Sequence, residues 1–428
     1  MMKVYYQLTM HQQSPLRISN SGSEKTDLDL MKDSRGFPFI PGTSLTGVLR
    51  ELAEKTFADD RYKQLLLSLF GSEKRSDYEK GFSESHVIIS DATLPSDTSA
   101  SKIFLGVRDG IGVDEWGITI DGAKYDFEVV ETEMPYTAIL EWTGDEAKAE
   151  ENSLVLEPLM KLAAQGISLG ARTTRGYGKM DVEVRKLMFR FPEDLEEWLA
   201  FDPFDTTLFQ EALSEEAADV TAEKLEIHME LEAAGGFSVQ VYTTEEDEDR
   251  AASDVKPLSN SRSNPVIPGT TWAGAFRHHM IDLLREAPFA SLSREQVNRL
   301  FGLKETGDKL MRSKITFSET EILGGKDYTI TRNSVDRFSG APRNTALFTS
   351  TVHEGGRGRL VLTVSKKEMT SDMTKLLTVT IFDLHAGLMT VGGEAAVGRG
   401  CMKVSGIKVN GNDCSDKLYA YDLTMLEG

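Results

Sequence analysis

A chain of 428 residues exceeds one ordinary hydrophobic core, so two or three domains are expected. Its 40% hydrophobic and 27% charged residues are those of a globular protein, and no stretch approaches the roughly 18 apolar residues that a membrane span requires. The start, MMKVYYQLTM, lacks the basic flank and apolar core of a signal peptide, and two cysteines, Cys401 and Cys414, exclude a disulfide framework or zinc knuckle, so a cytoplasmic protein is expected. A net charge of −20 argues against a polyanionic partner, but the charge is segregated. Residues 191–223 hold 11 acidic side chains and no Lys or Arg, and a second acidic cluster runs from Glu245 to Asp249. Basic grooves elsewhere stay compatible with this balance.

In chain order, the first punctuation is Ile40-Pro-Gly-Thr-Ser-Leu-Thr-Gly-Val-Leu-Arg50, with Pro38 two residues upstream. It opens a predicted helix from Thr43 to about Phe57, with Thr43 placed to cap it. A short second helix stops at Leu69-Phe70-Gly71, where glycine is the expected terminator. An alternating strand, His86–Asp91, follows. Next come Arg108-Asp-Gly-Ile-Gly-Val-Asp114, an apolar strand from Tyr136 to Trp142, and a helix from Leu154 to Ala164. A glycine-rich loop, Gly170-Ala-Arg-Thr-Thr-Arg-Gly-Tyr-Gly-Lys-Met180, leads into the last strand.

The acidic segment 191–223 carries helical patches at Asp194–Ala200 and Thr207–Ala217, broken by Pro192 and Pro203, and is expected to pack on the surface as a connector. Beyond it the order repeats. Ile267-Pro-Gly-Thr-Thr-Trp-Ala-Gly-Ala-Phe-Arg277 matches the first motif at six of eleven positions, 227 residues on, and Pro265 again stands two residues before it. A helix from Thr270 to about Arg285 is followed by Leu300-Phe301-Gly302 and by Lys314–Glu319. Then come Arg332-Asn-Ser-Val-Asp336, Leu360–Val364, a helix from Met373 to about Leu384, and the loop Gly392-Gly-Glu-Ala-Ala-Val-Gly-Arg-Gly-Cys-Met402. A repeat of this period implies two homologous domains, 1–190 and 224–428. The strand, helix, two strands, helix, strand order predicts an α+β fold in which each domain is ferredoxin-like (RRM-like), an antiparallel sheet with helices on one face.

Several motifs carry possible chemistry. A Pro-Gly-Thr helix start aims backbone N–H groups and the positive dipole end outward, which suits a phosphate, although a plain turn and cap need the same residues. It is not a Walker loop, because Gly42-Thr-Ser and Gly269-Thr-Thr lack the lysine. In the first glycine loop, Arg172, Arg175 and Lys179 can fork onto phosphates and Tyr177 can stack on a base, while the glycines let the backbone approach a ligand. The second loop keeps Arg399 and Lys403, but Glu394 intrudes. The His278-His279 pair fits helix packing better than metal binding. Asp27 and Asp254 each lie eleven residues before their proline, in polar loops where a carboxylate could hold a divalent cation beside a scissile phosphate. Asp29 and Asp33 crowd the first of these loops.

The Pro-x-Ile-Pro-Gly-Thr-x-x-x-Gly-x-x-Arg segments and the Gly-x-Arg-x-x-Arg-Gly-x-Gly loop resemble the RAMP superfamily of CRISPR-associated proteins. The similarity is strongest to the RNA-binding backbone subunits of type III effector complexes, and it covers nearly the whole chain, once per copy. The resemblance implies a tandem fusion of two such subunits in an antiviral effector, with guide CRISPR RNA, complementary target RNA and other effector subunits as partners and no membrane. It implies RNA contacts from Gly42, Thr43, Ser44 and Arg50, from Arg172, Arg175, Gly176, Tyr177 and Lys179, and from Gly269, Thr270, Thr271, Arg277, Arg337 and Arg399. The segment after Val335-Asp336-Arg337 would form a thumb-like hairpin that wedges between bases, with a first-copy equivalent starting at Val113-Asp114. Target RNA would be cut beside each flipped base by the loops of Asp27 and Asp254 with Mg²⁺, the RNA's own 2′-OH serving as nucleophile. The second loop, Asp254-Val-Lys-Pro-Leu-Ser-Asn-Ser, lacks the later acid that Asp33 supplies, so binding without cutting is a second reading. A third, metal-independent processing of the CRISPR precursor, usually calls for a histidine near the glycine loop, and none lies close to Gly170–Lys179.

Overall fold

A computed structural model describes residues 1–18, 30–71, 84–113, 119–131, 133–209, 211–213, 223–242, 255–285, 289, 291–302 and 311–427. Contacts divide the chain into two compact units. The first holds Met1–Val107, Phe127–Thr173 and Tyr177–Val220; the second holds Arg108–Asp126, Thr174–Gly176 and Thr221–Gly428.

The first unit begins with β1 (Met2–Gln12), whose alternate residues Val4, Tyr6, Leu8 and Met10 enter the core. After it come α1 (Gly42–Thr56), α2 (Asp60–Phe70) and β2 (Val87–Ile89). A long hairpin, β3 (Leu105–Val113) and β4 (Thr119–Val130), whose residues 108–126 belong to the second unit, precedes β5 (Pro135–Gly144), α3 (Glu146–Ala164), β6 (Ile167–Ser168) and β7 (Lys179–Arg190). The sheet order is β2-β5-β1-β7-β6, antiparallel throughout, which is the ferredoxin-like arrangement. α3 begins eight residues before its apolar stretch because Asp145 accepts the Lys148 amide at 2.8 Å as an N-cap.

The acidic segment supplies α4 (Leu195–Ala200) and β8 (Glu211–Ala212), which pairs with β7. The predicted helix over Thr207–Ala217 does not form in its described part. A 3₁₀ turn occupies Thr206–Leu208, and Phe209 is buried against Tyr5, Ile139 and Phe189. Burying that ring and pairing the edge of β7 outweigh the helical propensity of the patch.

The second unit repeats the plan with β9 (Lys224–Ala233), β10 (Gly236–Phe237), β11 (Gln240–Tyr242), β12 (Val255–Pro257) and β13 (Val266–Ile267). These precede α5 (Gly269–Leu283), α6 (Arg294–Phe301), β14 (Ile315–Phe317), β15 (Thr320–Glu321) and a second long hairpin, β16 (Lys326–Val335) with β17 (Pro342–Glu354). β18 (Arg357–Ser365), α7 (Ser371–Ala386), β19 (Met402–Val409), β20 (Asn412–Asp413) and α8 (Ser415–Tyr419) complete it. The main sheet runs β14-β18-β9-β19-β20, in which β14, β18, β9 and β19 take the places of β2, β5, β1 and β7. The two repeats are therefore ferredoxin-like domains, each with an inserted hairpin.

The 227-residue register holds at single positions. Leu45, Leu49 and Ala53 are the buried i, i+4, i+8 stripe of α1, and Trp272, Phe276 and Met280 fill the same places on α5. The larger stripe buries more apolar area, each such side chain contributing about 1.5–3 kcal/mol. Trp272 satisfies its indole N–H on Thr320 Oγ1 at 3.0 Å. Among the described residues no helix is long and apolar enough to cross a membrane.

Candidate nucleic-acid interface

The chain entering each Pro-Gly-Thr helix closes the same turn. Asp33 Oδ1 accepts the amides of Arg35 at 2.8 Å and Phe37 at 2.9 Å. Its counterpart Asn260 accepts those of Arg262 at 3.1 Å and Asn264 at 3.0 Å. Lys32 bridges Pro38 as Ser259 bridges Pro265, and the left-handed position is Gly36 in one copy and Ser263 in the other. Partial desolvation pushes the Asp33 carboxyl up, but the donations from Phe37 and Arg35 outweigh it and hold the group below its ordinary range. Asp33 is thus a turn former, and its replacement by Asn260 keeps the turn without the charge. Asp27 and Asp254 lie outside the described residues, as does the Glu245–Asp249 cluster. Among the described residues no group of three or more His, Cys, Asp or Glu could hold a metal ion.

The helices start one residue earlier than the capping expectation placed them. Pro41 and Pro268 are the N-caps, neither with a side-chain cap bond, so Thr43 and Thr270 sit inside the first turn. Gly42 and Gly269 are set by close approach. A Cβ on Gly42 would lie 2.3 Å from the Ile89 carbonyl oxygen, and one on Gly269 would lie 2.3 Å from that of Phe317 and 2.2 Å from that of Arg175. The Gly42 amide donates to Asp91 Oδ1 at 2.7 Å, so a carboxylate of the protein already sits on this helix terminus. Glu319 holds the matching place in the second copy but turns to Arg108, which donates to it from Nε and Nη2 at 3.0 Å each. Neither acid was singled out by sequence reasoning, although each ends a matched strand.

The second glycine of each motif behaves differently. Gly47 and Gly274 lie in helix interiors, and among the described residues a Cβ at either would meet nothing within 4 Å. An interior helical glycine costs about 1 kcal/mol relative to alanine, and among the described residues no close approach requires it at either position. At i−4, i−3 and i+3 from these glycines stand Thr43, Ser44 and Arg50, or Thr270, Thr271 and Arg277, so each helix shows a face of hydroxyls, bare backbone and one guanidinium. Arg50 donates to Glu54 at 2.8 Å and Arg277 to Asn298 Oδ1 at 2.9 Å. Burial, and then the like charge of Arg294, push the Arg277 ionisation down. The recurrence of a helix-disfavoured residue was the signal available in the sequence.

The glycine loops share one backbone. Left-handed residues fall at Gly170, Arg172, Gly176 and Gly178, and at Gly392, Glu394, Gly398 and Gly400, around 3₁₀ turns at Thr173–Arg175 and Ala395–Val397. Close contact within the chain, rather than ligand approach, requires the last glycine of the first loop: a Cβ on Gly178 would lie 1.8 Å from the Leu169 oxygen. Tyr177 is 2% exposed, edge-on to Phe127 at 5.9 Å, so the expected base stacking is unavailable to it. Arg17 and Arg172 stack on the same Phe127 ring at 4.4 and 4.7 Å. Arg175 donates to the Phe301 carbonyl at 3.2 Å, and Lys179 is exposed. In the second loop Glu394 faces both Arg332, at 3.5 Å, and Arg399, at 3.8 Å, and Arg399 also donates to Tyr328 OH. The one arginine of that loop is held by the protein itself. His279 likewise bonds Asp383 at 2.7 Å, as a helix-packing pair does.

The β16–β17 hairpin turns where the resemblance places a thumb. Asp336 Oδ1 accepts Phe338 N at 3.0 Å and Ser339 N at 2.9 Å, which hold its carboxyl below the ordinary range. Arg337 is exposed and Phe338 is fully so. The first copy's turn, from Asp114, lies outside the described residues.

The family model of the RAMP superfamily matches residues 12–181 and again 233–403, so the chain belongs to that superfamily and carries its domain twice. None of the curated proteins matches it. Chains from two cryo-EM structures, the Type III-B Cmr-beta bound to cognate target RNA and the same complex in the apo state, are similar at 13% and 14% identity with TM-scores of 0.35 and 0.33. Each match covers 42% of this chain and 96% of the other.

Proposed function

We propose that this protein is a guide-RNA-binding backbone subunit of a type III-like CRISPR effector, in which each repeat lays a stretch of RNA along the bare face of its Pro-Gly-Thr helix. The observation that carries this reading is the pair Gly47 and Gly274: two helix-weakening glycines at one repeated position, with open space above them. An absent side chain lets a phosphodiester chain reach the helix surface, where Thr43, Ser44, Thr270 and Thr271 hydroxyls donate to phosphate oxygens. Arg50, Arg172, Arg277 and Lys179 supply counter-charge, and Arg337 with Phe338 at the hairpin tip separates bases. The RAMP membership supports RNA as the ligand.

Cleavage of target RNA belongs to the same reading. Mg²⁺ held by the loops of Asp27 and Asp254 would orient the scissile phosphate for attack by the adjacent 2′-OH, so the protein contributes alignment rather than a nucleophile. Target RNA paired to guide is expected to be cut in Mg²⁺ and spared in EDTA. Asp27→Ala and Asp254→Ala should each remove one cut, by a factor of about 10² or more in rate, with binding intact. Gel analysis showing both cuts in both variants rules out these carboxylates, and uncut target with the parent chain favours the non-catalytic reading.

A further inference from the structure

The acidic segment after β7 has two faces of opposite kind. Inward, it covers the side of the first sheet away from the helices. Phe201 packs on Tyr5 at 5.0 Å and on Phe189 at 5.1 Å, and Phe209 on Phe201 at 5.8 Å. Trp198 donates its indole N–H to Tyr5 OH at 3.0 Å, and Pro203 O accepts from Gln7 at 3.3 Å. In the second unit β9 presents Glu226, His228, Glu230 and Glu232 on that side, with Glu230 paired to Arg359 at 2.7 Å. On the first sheet that side carries Tyr5, Ile139 and Phe189 for the segment to cover.

Outward, the same segment exposes Leu195, Leu199, Phe204 and Leu208, with Leu199 at 70% and Phe204 at 49%. Leu195 and Leu199 are an i, i+4 pair on α4, Phe204 and Leu208 follow it, and Glu193, Asp194, Glu196, Glu197, Asp202 and Asp205 lie just before and among them, with no Lys or Arg from 191 to 209. What distinguishes these four from exposed apolar residues elsewhere is their clustering in one short stretch rimmed by carboxylates, the pattern of a protein contact surface. The inward rings pin the segment, so little ordering entropy is left to lose when something docks on it. The carboxylates repel RNA and select a cationic partner, and a net charge of −20 opposes a second copy of the chain.

We infer that this outward face docks a different protein subunit, one that presents lysine and arginine side chains around an apolar socket. The inference rests on the proposed function only in taking that subunit from the same effector complex. It is tested with a benzophenone amino acid at position 199 in the full chain purified with its complex. Illumination should join it to one protein subunit within a Lys/Arg-rich surface peptide, with a yield falling on the order of fivefold between about 0.1 and 0.5 M salt. The Leu199→Glu, Phe204→Glu variant should lose that subunit and keep its guide RNA. Cross-linking to RNA, to a second copy, or to nothing in an assembled complex overturns the inference, as does retention of every subunit by the variant. A parent chain that cross-links to a basic subunit but carries no RNA overturns the functional reading and leaves the docking surface standing.

Discussion

Glu319→Ala should destabilise the second unit by about 3–5 kcal/mol, the range for removing one partner of a buried ion pair. Arg108 and Glu319 have side chains 1% and 8% exposed, and the guanidinium donates to both carboxylate oxygens. Deleting the acid takes a bidentate carboxylate from a buried guanidinium that cannot change its protonation near neutral pH, so much of the compensation for its desolvation is lost. Glu319→Gln keeps the shape and part of the hydrogen bonding and should cost less. Asp91→Ala removes only a carboxylate at a helix start and should cost about 0.5–2 kcal/mol in the first unit. Hydrogen exchange separates these cases by reporting each unit independently. A loss below about 1 kcal/mol for Glu319→Ala would mean that the pair does not form in solution.

Alanine at the two glycines of one motif should act with opposite sign. Gly269→Ala drives a Cβ to within 2.3 Å of two backbone carbonyl oxygens, neither of which is the end of a flexible side chain. The helix must shift off β14, at about 2–3 kcal/mol by the usual cost of overpacking. Gly274→Ala, five residues on and facing open space, should stabilise by about 1 kcal/mol. Gly42→Ala and Gly47→Ala should repeat the pattern in the first unit. Thermal unfolding of the four variants checks it, and a neutral Gly269→Ala would remove close approach as the reason for that glycine.

Most of the fold was legible because the chain states it twice. The Pro-Gly-Thr helix start, the Leu-Phe-Gly stop and the glycine loop are each ambiguous alone, but their recurrence in one order sets out the two ferredoxin-like repeats. What pattern could not supply was the destination of polar groups. Asp91 and Glu319 end equivalent strands, yet one goes to a helix amide and the other to Arg108, a residue 211 positions away. The glycine loop suggested an open ligand cradle, whereas Gly178 is required by the Leu169 carbonyl and Tyr177 is buried. The acidic segment showed its charge plainly but concealed its packing, because Trp198, Phe201 and Phe209 follow no single period. The residues on which the proposed RNA contact rests, Gly47 and Gly274, stood in the motif from the start; the space above them distinguishes them from Gly42 and Gly269.

Guide-RNA affinity of the Gly47→Gln, Gly274→Gln double variant tests the central claim most directly. Glutamine is neutral and favours helix, so the folded protein should be slightly more stable than the parent. Its two side chains cover the helix faces, and binding should weaken at least about tenfold, or about 1.4 kcal/mol. A variant that is more stable and binds guide RNA as tightly as the parent would contradict the account.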